Sequence, residues 1–290
     1  MNSGVLLVTG ASTGIGRETA LLAAARGFTV FAGVRRAVDG ESLEAAAGEG
    51  DVRSIILDVT SPDLVSAAAA RVAELGRGLD GLVNNAGIAS AAPLEFVPIE
   101  EFRRQMEVNL VGQLAVTQAM IPLLRENAGR IINVTSIGGL IASQMMGPYN
   151  ASKFALEAVT HVLRQELAPW GIRAIAIEPG QIATPIWHTA SSNSQRLLSD
   201  MPPQVTELYG ARIEDAQKLA RHAAKNGLPP AEVAKVILKA LTAKRPRTRY
   251  TVGTDARLGS ALIARLPDRV RDRLLSGRTN PAAQRSEHSS

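Results

Sequence analysis

Residues 5–16 have the sequence Val-Leu-Leu-Val-Thr-Gly-Ala-Ser-Thr-Gly-Ile-Gly, an apolar run followed at once by a glycine-rich turn. The apolar run predicts a buried strand over Val5–Thr9, and the pattern after the turn predicts a helix over Ile15–Arg26. Glycines at such a turn let the backbone approach a pyrophosphate and present helix-terminal N–H groups to it. The spacing is Gly-x-x-x-Gly-x-Gly, not Gly-x-Gly-x-x-Gly. The stretch therefore predicts either a dinucleotide-phosphate site or an ordinary strand-to-helix connection.

The rest of the chain repeats this alternation of strand and helix. Apolar runs predict strands at Val5–Thr9, Thr29–Ala32, Ser54–Leu57, Leu79–Val83, 131–135, Ile172–Ile177 and 248–252. Helical patterns lie between them, over Ile15–Arg26, from Ser61 onward, over Ile99–Glu126 and from Gly147 to about Pro169. This alternation is typical of α/β proteins with a parallel sheet. We therefore predict a single doubly wound Rossmann-type domain, with about seven parallel strands and helices on both faces.

Composition excludes several classes of protein. The chain has 290 residues, of which 46% are hydrophobic and 20% are charged, as in a globular protein with a substantial core. It contains no run of eighteen apolar residues, and the first residues show no signal-peptide pattern. Cysteine is absent, which excludes disulfides and thiolate metal sites and fits a reducing cytoplasm. The four histidines are scattered, so no metal site is predicted.

The carboxyl-terminal stretch is basic. Residues 244–290 contain eleven Lys/Arg and four Asp/Glu, in a chain whose net charge is +5. This stretch lacks zinc-finger spacing and a helix-turn-helix signature, so we expect a solvated face and no nucleic-acid partner. Apolar residues recur at helical spacing in it, at Leu258, Leu262, Ile263, Leu266, Val270 and Leu274. They predict an amphipathic helical extension over 254–278, interrupted at Pro267, followed by a disordered tail over 279–290. We expect the extension to pack within the protein, on the lid or at a subunit interface, and contact with an anionic membrane is the less favoured alternative.

A tyrosine and a lysine carry the strongest chemical signal. Gly147 and Pro148 predict a helix start, which places Tyr149 and Lys153 four residues apart on one helical face. An ammonium beside a phenol favours the phenolate, so we predict a lowered pKa for Tyr149. Such a tyrosine can exchange a proton with an alcohol or a ketone near neutral pH. Ser136 follows a predicted strand and could hydrogen-bond the same substrate oxygen.

The combined motifs resemble the short-chain dehydrogenase/reductase family. They are the glycine turn, Asp58-Val59, Asn84-Asn85-Ala86-Gly87, Asn109, Ser136, Tyr149-x-x-x-Lys153 and Pro179-Gly180, in family order and spacing over about residues 4–186. The resemblance implies an enzyme that moves a hydride between NAD(P)(H) and a CH–OH or C=O group. It further implies a catalytic domain over 1–253, with a substrate lid over about 181–228.

The resemblance also implies roles for individual residues. Tyr149 would be the acid/base, Lys153 would hold the ribose, Ser136 would orient the carbonyl, and Asn109 would support a water that links Lys153 to solvent. The helix of Asn109 is expected to present Met106, Leu110, Leu114 and Ala115 to the core. The cofactor-binding residues would be Gly10, Ser12, Thr13, Gly14, Ile15, Gly16, Arg35, Arg36, Asp58, Val59, Asn85, Ala86, Gly87, Tyr149, Lys153, Pro179, Gly180, Ile182 and Thr184. Asp58 could instead be a capping acid ahead of the next helix.

Cofactor choice is predicted from the end of the second strand. An NAD-specific protein places an acid there to accept from the ribose 2′-hydroxyl. In this chain Val34 stands at that position, and Arg35 and Arg36 follow. A guanidinium attracts a 2′-phosphate through charge-assisted hydrogen bonds, so we predict NADP(H), with NAD(H) as the alternative. Asp39 and Glu41 could neutralise the two arginines.

The substrate is predicted from the lid. Ile186, Trp187, Met201, Leu208 and Tyr209 suggest an apolar inner face, and Met145 and Met146 add adaptable apolar lining. They favour a hydrophobic secondary alcohol or ketone. The Phe-Ala-Gly-Val-Arg run, the Asn-Leu-Val-Gly helix and the tail beginning Arg249-Tyr250 resemble the retinol and hydroxysteroid dehydrogenase branch of the family. The alternatives are a 3-oxoacyl-thioester (acyl carrier protein) reductase and a non-catalytic sensor or scaffold. Family membership implies a homodimer or homotetramer that pairs the helices near 105–125 and 150–167.

Overall fold

A seven-stranded parallel sheet forms the centre of the molecule. The computed structural model describes residues 4–253 and 266–275. The strand order is β3-β2-β1-β4-β5-β6-β7, with every neighbouring pair parallel. The strands are β1 (Val5–Val8), β2 (Thr29–Val34), β3 (Val52–Ile56), β4 (Gly81–Asn84), β5 (Arg130–Val134), β6 (Arg173–Pro179) and β7 (Arg249–Val252). The predicted doubly wound α/β fold is confirmed.

Helices cover both faces of this sheet. They are α1 (Gly14–Ala24), α2 (Ala37–Ala47), α3 (Pro62–Ala73), α4 (Ile99–Met106), α5 (Gly112–Glu126), α6 (Gly147–Glu166), α7 (Ile186–Ser199), α8 (Gln204–Asn226), α9 (Pro230–Thr242) and α10 (Asp268–Leu275). One core layer contains buried residues of α1, α2 and α9, and the other contains buried residues of α3, α5 and α6. Successive residues of β1 alternate between the layers, because Leu6 and Val8 belong to the first, and Val5 and Leu7 to the second.

The strand order determines where a ligand can bind. Chain connections run in opposite directions from β1 and β4, so a crevice opens where their carboxyl ends meet. The Thr9 hydroxyl joins the two ends, since it accepts from the main-chain N–H of Asn85 at 2.9 Å and of Ala86 at 3.0 Å. The glycine turn and the Asn85–Gly87 loop therefore lie side by side at this crevice.

Three features of the fold differ from the predicted elements. Helices α2 and α9 were not predicted, and the predicted helix over Ile99–Glu126 contains a π-helical turn, Glu107–Val111, between α4 and α5. The predicted lid consists of two helices, α7 and α8. Its ends are hydrogen-bonded to each other, because Leu228 N donates to Gln181 O and Ala183 N donates to Leu228 O, each at 2.9 Å.

The predicted carboxyl-terminal extension falls only partly within the described residues. Its portions 254–265 and 276–278, like the tail 279–290, lie outside them. In the described part, α10 begins after Pro267, and the side chains of Val270 and Leu274 are exposed. Across residues 4–253 and 266–275, none of the helices combines the length and the apolar character that crossing a bilayer requires.

Candidate active site

A large cavity opens at the carboxyl end of the sheet. Its volume is about 980 Å³, and its wall runs from the glycine turn, past the ends of β2, β3, β4, β5 and β6, to lid helices α7 and α8. Ser136, Tyr149 and Lys153 contribute to the same wall. A space of this size is typical of a small-molecule or cofactor site. One cavity therefore joins the predicted phosphate-binding turn to the predicted acid/base.

The glycine turn has the geometry of a phosphate cradle. Gly10 and Gly14 adopt φ values of 62° and 57°, and a Cβ on Gly10 would lie 2.8 Å from Ala86 Cα. Thr13, the N-cap residue of α1, makes no side-chain cap hydrogen bond, and the first turn of α1 contains no acid. The N–H groups at this helix end therefore remain available to an anion.

Gly16 has a packing role rather than a lining role. It does not line the cavity, unlike Gly10, Ser12, Thr13, Gly14 and Ile15. A Cβ on Gly16 would lie 2.4 Å from Gly10 O and 2.5 Å from Asn85 Nδ2. Only glycine lets α1 approach the turn this closely. The predicted cofactor contact of Gly16 stays a prediction, and the structure adds this packing role.

Ser136, Tyr149 and Lys153 converge as predicted. Ser136 lies at the end of the β5 segment and accepts from Gly138 N at 2.9 Å, which fixes its hydroxyl at the start of the next turn. Tyr149 and Lys153 lie in the first two turns of α6, and Lys153 Nζ is 5.8 Å from the centre of the Tyr149 ring. Lys153 Nζ donates to Val134 O at 2.9 Å. The strand end and the helix thus hold a hydroxyl, a phenol and an ammonium on one wall.

The predicted direction of the Tyr149 pKa shift is wrong for this state of the protein. Burial raises the pKa of Tyr149, and the hydrogen bond with Ser136 only partly opposes this effect. The Lys153 ammonium is engaged by the Val134 carbonyl rather than by the phenol. Desolvation of the phenolate therefore outweighs the stabilisation that was expected from the cation.

Lys153 itself is strongly perturbed. Only 5% of the residue is exposed, and burial lowers the pKa of its ammonium from 10.5 to about 8, although the Glu157 carboxylate acts in the opposite direction. The protonated form still predominates at neutral pH. The protein therefore keeps a cation next to the phenol, although the free energy that favours the protonated form of Lys153 at neutral pH is small.

Asn109 lies behind the cavity wall and does not line it. Its Oδ1 accepts from Ile88 N at 2.8 Å, while its Nδ2 donates to Ile88 O at 2.9 Å and to Ser152 Oγ at 3.0 Å. These bonds tie the loop after β4 to α6. A Cβ on Gly87 would lie 3.3 Å from Asn109 Oδ1 and 3.8 Å from Lys153 Nζ, so the amide reaches the neighbourhood of the lysine. The geometry gives Asn109 a positioning role.

The two arginines after β2 have different environments. Val34 and Arg35 line the cavity, with the Arg35 side chain exposed. Arg36 does not line it, because its guanidinium forms a two-pronged pair with Asp39 at 2.6 and 2.9 Å. Arg35 therefore lies where the predicted cofactor contact could form, whereas the guanidinium of Arg36 is engaged by Asp39. Both cofactor contacts stay predictions.

Asp58 lies on the cavity wall and is not the cap of the next helix. It lines the cavity, and its Oδ1 accepts from Thr60 N at 3.0 Å and from Thr60 Oγ1 at 2.7 Å. Burial raises its pKa, but the two Thr60 bonds and the charge of Arg35 outweigh burial and leave the pKa below its ordinary value. The helix cap itself is Ser61, whose Oγ accepts from Leu64 N at 3.4 Å. Asp58 is thus an ionised wall residue that orders the turn before α3.

The remaining predicted cofactor residues also lie on the wall. They are Val59, Asn85, Ala86, Gly87, Pro179, Gly180, Ile182 and Thr184. The set combines free helix-terminal N–H groups, a glycine cradle and a cation at the end of β2, which together suit a dinucleotide. The residues present therefore fit a nicotinamide dinucleotide.

The lid presents a different inner surface from the predicted one. Ile186 and Trp187 line the cavity as predicted, together with Ala190, Leu198, Ile213 and Leu219. Met201, Leu208 and Tyr209 do not line it, because they lie on other sides of α8 or before it. The Tyr209 hydroxyl donates to Glu95 Oε2 at 2.6 Å, and its ring meets Phe96 edge-on at 6.0 Å. Tyr209 therefore links α8 to the loop before α4.

Sequence reasoning missed Asn150 and did not anticipate the backbone conformation of Met145, which it had predicted to line the pocket. Asn150 spans the loop before α6, since its Nδ2 donates to Gly138 O at 2.8 Å and its Oδ1 accepts from Ser143 N at 3.1 Å. Met145 adopts φ of 67°, a conformation that is rare for a non-glycine residue, and lines the cavity. The position of Asn150 next to Tyr149 was the only available signal, and methionine gives none for a left-handed backbone.

Comparison with known proteins agrees with this site. Residues 4–195 match the short chain dehydrogenase family, and the chain belongs to it. The protein is therefore an oxidoreductase that uses NAD(P)(H), similar to the retinol and hydroxysteroid dehydrogenase branch. Retinol dehydrogenase 5 of Mus musculus is 36% identical over 93% of this chain and 87% of its own length. The 17-beta-hydroxysteroid dehydrogenase type 6 of Bos taurus is 35% identical over 93% and 87%. The NADPH-dependent 3-dehydrocapnine reductase of Ornithobacterium rhinotracheale is 34% identical over 92% and 94%.

Solved structures share the fold. A short-chain dehydrogenase from Streptomyces avermitilis has a TM-score of 0.75 at 29% identity, covering 99% of both chains. One from Burkholderia cenocepacia, in complex with NADP, has a TM-score of 0.72 at 30% identity over 94% of this chain and 98% of its own. The 3-ketoacyl-(acyl-carrier-protein) reductase from Brucella melitensis, complexed with NADH, has a TM-score of 0.71 at 26% identity over 86% and 96%.

Proposed function

We propose that this protein is an NADP(H)-dependent oxidoreductase that interconverts a hydrophobic secondary alcohol and the corresponding ketone. The observation that carries the proposal is the single cavity in which Ser136, Tyr149 and Lys153 share a wall with the glycine turn. When bound there, a nicotinamide cofactor supplies or accepts the hydride. The chain itself has to bind and orient the substrate oxygen, move one proton and exclude water.

Tyr149 is the group that moves the proton. In the reducing direction its phenol donates to the substrate oxygen, and in the oxidising direction its phenolate accepts from the alcohol. The Ser136 hydroxyl is hydrogen-bonded to Tyr149, so it lies beside the proton donor. From there it holds the same substrate oxygen by a hydrogen bond. Lys153 keeps a positive charge 5.8 Å from the phenol ring and so favours the phenolate as the proton leaves. Asn109 positions the Ile88 segment and Ser152 behind them.

The NADP(H) preference rests on Arg35. Arg35 lines the cavity just after β2, where Val34 replaces the acid that an NAD-specific site needs. A ribose 2′-phosphate could form charge-assisted hydrogen bonds with the Arg35 guanidinium. The reductase of Ornithobacterium rhinotracheale is named as NADPH-dependent, and the Burkholderia cenocepacia structure contains NADP, whereas the Brucella melitensis structure contains NADH. The relatives thus include both cofactors, and the prediction depends on this chain's own residues.

The hydrophobic substrate class rests on the lid side of the cavity. Apolar side chains line it from the loop before α6, from α7 and α8, and from the end of α10: Met145, Met146, Ile186, Trp187, Ala190, Leu198, Ile213, Leu219 and Leu275. Polar residues of α7 and α8 lie among them: Thr189, Ser191, Ser194, Arg212, Asp215 and Gln217. Burying apolar substrate surface against the apolar side chains contributes about 25 cal/mol per Å². The names of the retinol and hydroxysteroid dehydrogenases are consistent with a lipid-like alcohol or ketone.

A second candidate is reduction of a 3-oxoacyl thioester. The Brucella melitensis neighbour is named as a 3-ketoacyl-(acyl-carrier-protein) reductase, and the basic residues 244–249 of this chain would suit an acidic carrier. The third alternative, a cofactor-binding sensor, has less support, because a sensor has no need of the Tyr149 hydroxyl. A panel of ketones, steroids, retinoids and oxoacyl thioesters, assayed by NADPH oxidation, separates the three. Turnover of lipid-like ketones is expected, thioester turnover alone would favour the second candidate, and cofactor binding with no turnover would favour a sensor.

The same proposal includes a homodimer or homotetramer in a reducing cytoplasm. Apolar side chains are exposed on the outer surface of the long helices and beside them, with 47% of Val111, 43% of Phe154, 49% of Val162 and 48% of Trp170 exposed. Pairing α5 and α6 with a second copy would cover them. The double substitution Phe154→Glu and Val162→Glu is expected to lower the mass measured by sedimentation, whereas Val38→Glu, on exposed α2, is not. The absence of cysteine agrees with a reducing compartment.

A further inference from the structure

A buried charge cluster lies beside the active site and has no part in the proton transfer described above. It joins Glu157 of α6, Glu178 of β6 and Arg249 of β7. Glu157 is 5% exposed and Glu178 is fully buried. Arg249 Nη2 lies 3.0 Å from Glu157 Oε2, and Arg249 Nη1 donates to Glu178 Oε1. Thr251 Oγ1 donates to Glu178 Oε2 at 2.8 Å.

The cluster has more negative than positive groups. Two carboxylates share one guanidinium, and both side-chain oxygens of Glu157 lack a well-aligned hydrogen-bond donor among the described residues. Burying such a carboxylate is costly unless a further positive charge compensates it. The next cation on the same helix is Lys153, four residues before Glu157, which places both on one helical face.

Packing connects the cluster to the catalytic wall. A Cβ on Gly139 would lie 3.2 Å from Glu157 Cγ and 2.9 Å from Lys153 O. Gly139 ends the 3₁₀ turn Ile137–Gly139, which follows Ser136 directly. The Glu157 side chain therefore lies against the turn that carries Ser136 and on the helix that carries Lys153.

We propose that Glu157, held by Arg249, is a positioning residue that keeps the buried Lys153 protonated. The four charges Lys153, Glu157, Glu178 and Arg249 then sum to zero, whereas the cluster without Lys153 carries one net negative charge. Burial lowers the pKa of Lys153, and the Glu157 carboxylate opposes that effect, in agreement with the geometry. The importance of the Lys153 charge for turnover rests on the proposed function, but the charge balance does not.

Among the described residues, His161 also faces Glu157. Its Nε2 lies 2.7 Å from Arg249 Nη2 and 3.8 Å from Glu157 Oε2, and 43% of its side chain is exposed. A guanidinium can only donate, so His161 accepts at Nε2 in this arrangement. His161→Gln is therefore needed to separate a contribution of His161 from the effect of Glu157.

The direct test is an NMR titration of Lys153 in the cofactor-free protein. The chain contains six lysines, so ¹³C-lysine labelling gives few signals, and Lys153→Met assigns the relevant one. The wild-type midpoint is expected near pH 8. Glu157→Gln should lower it by about one pH unit or more, because an opposite charge on the same helical face is removed. His161→Gln should leave most of the difference in place, and Glu166→Gln, exposed on the same helix, should cause no change.

Two further measurements keep the proposal falsifiable. Thermal unfolding and circular dichroism establish whether Glu157→Gln is folded. Glu178→Gln leaves Arg249 to pair with Glu157 alone, so it should lower the Lys153 midpoint by a smaller amount than Glu157→Gln does. A folded Glu157→Gln protein with an unchanged Lys153 midpoint overturns the proposal, because the carboxylate would then be merely structural. If the NMR midpoint moves while the pH profile of turnover does not, the charge balance is supported and the proposed role of Lys153 in catalysis is contradicted.

Discussion

The Lys153 ammonium nitrogen lies over the Tyr149 ring, 5.8 Å from its centre. Its hydrogen bond goes to Val134 O instead, at the carboxyl end of β5. The cation is therefore fixed by the sheet, while the phenol stays free to contact a substrate. Burial has opposite consequences for the two groups, since it raises the pKa of Tyr149 and lowers the pKa of Lys153.

The first prediction concerns the pH dependence of carbonyl reduction. The pKa of Lys153 is lowered from 10.5 to about 8, so the ammonium loses its proton as the pH rises through about 8. Below that pH the cation is present, and above it the phenolate loses its stabilising charge. We expect kcat/KM for ketone reduction to fall on an alkaline limb with an apparent pKa near 8. A profile that is flat to pH 10 would show that the Lys153 charge is not needed.

The second prediction concerns cofactor preference. Arg35→Asp removes the cation that lines the cavity and places a carboxylate near a 2′-phosphate, whereas Arg36→Asp changes an arginine that faces Asp39. One charge-assisted hydrogen bond contributes about 1.5–3 kcal/mol, which corresponds to roughly 10- to 100-fold. Arg35→Asp should therefore reduce the ratio of kcat/KM for NADPH to that for NADH by at least tenfold, with a much smaller effect for Arg36→Asp. Wild-type protein that prefers NADH would refute the assignment.

The third prediction concerns the lid. Tyr209→Phe keeps the ring against Phe96 but removes the hydrogen bond to Glu95. Losing this hydrogen bond should destabilise the closed conformation of the lid by about 1 kcal/mol. KM for the substrate should then rise roughly fivefold, with little change in kcat. Tyr250→Phe is the matched control, because Tyr250 lies on β7 and its hydroxyl accepts from Arg247 N just before that strand. Equal KM values for the two variants would mean that Tyr209 does not fasten the lid.

The fourth prediction concerns close packing at the glycine turn. Gly16→Ala places a methyl group 2.4 Å from Gly10 O, and such overpacking costs about 1–3 kcal/mol. Its melting temperature should fall by several degrees, and cofactor binding should weaken. Gly210→Ala, on α8, meets nothing closer than 3.8 Å and should raise the free energy of unfolding by about 1 kcal/mol, because alanine favours a helix. Calorimetry that finds the same change in both variants would contradict this contrast.

Local sequence was sufficient for the features that depend on nearby residues. The apolar run Val5–Val8 and the turn after it predict a strand and a phosphate cradle, because burial and positive φ act at short range. Helix α2 was missed, since Gly40 and Leu43 are the only residues that it buries and its apolar periodicity is weak. Arg36 illustrates a different limit. From the sequence, Arg35 and Arg36 are equally good candidates for a cofactor contact. Only the structure shows that Asp39 binds the guanidinium of Arg36.

The surroundings of Asn109 could not be predicted from helical periodicity. An uninterrupted α-helix was expected to bury Met106, Leu110, Leu114 and Ala115, which are only partly buried. The π-helical turn Glu107–Val111 changes the phase of the helix, so that Asn109, Gln113 and Val116 are buried instead. The pKa of Tyr149 was mispredicted for a related reason, because spacing along a helix reports which groups are neighbours but not how deeply they are desolvated.

The most direct measurement compares turnover and cofactor binding of Tyr149→Phe with those of the wild-type protein, using the best ketone from the substrate panel. The substitution removes one hydroxyl from the cavity wall and little volume. Ketone reduction should fall by about 10²- to 10⁴-fold, the usual contribution of a general acid, while the dissociation constant for NADPH stays within a few-fold of the wild-type value. Undiminished reduction by Tyr149→Phe would contradict the assignment of Tyr149 as the proton donor.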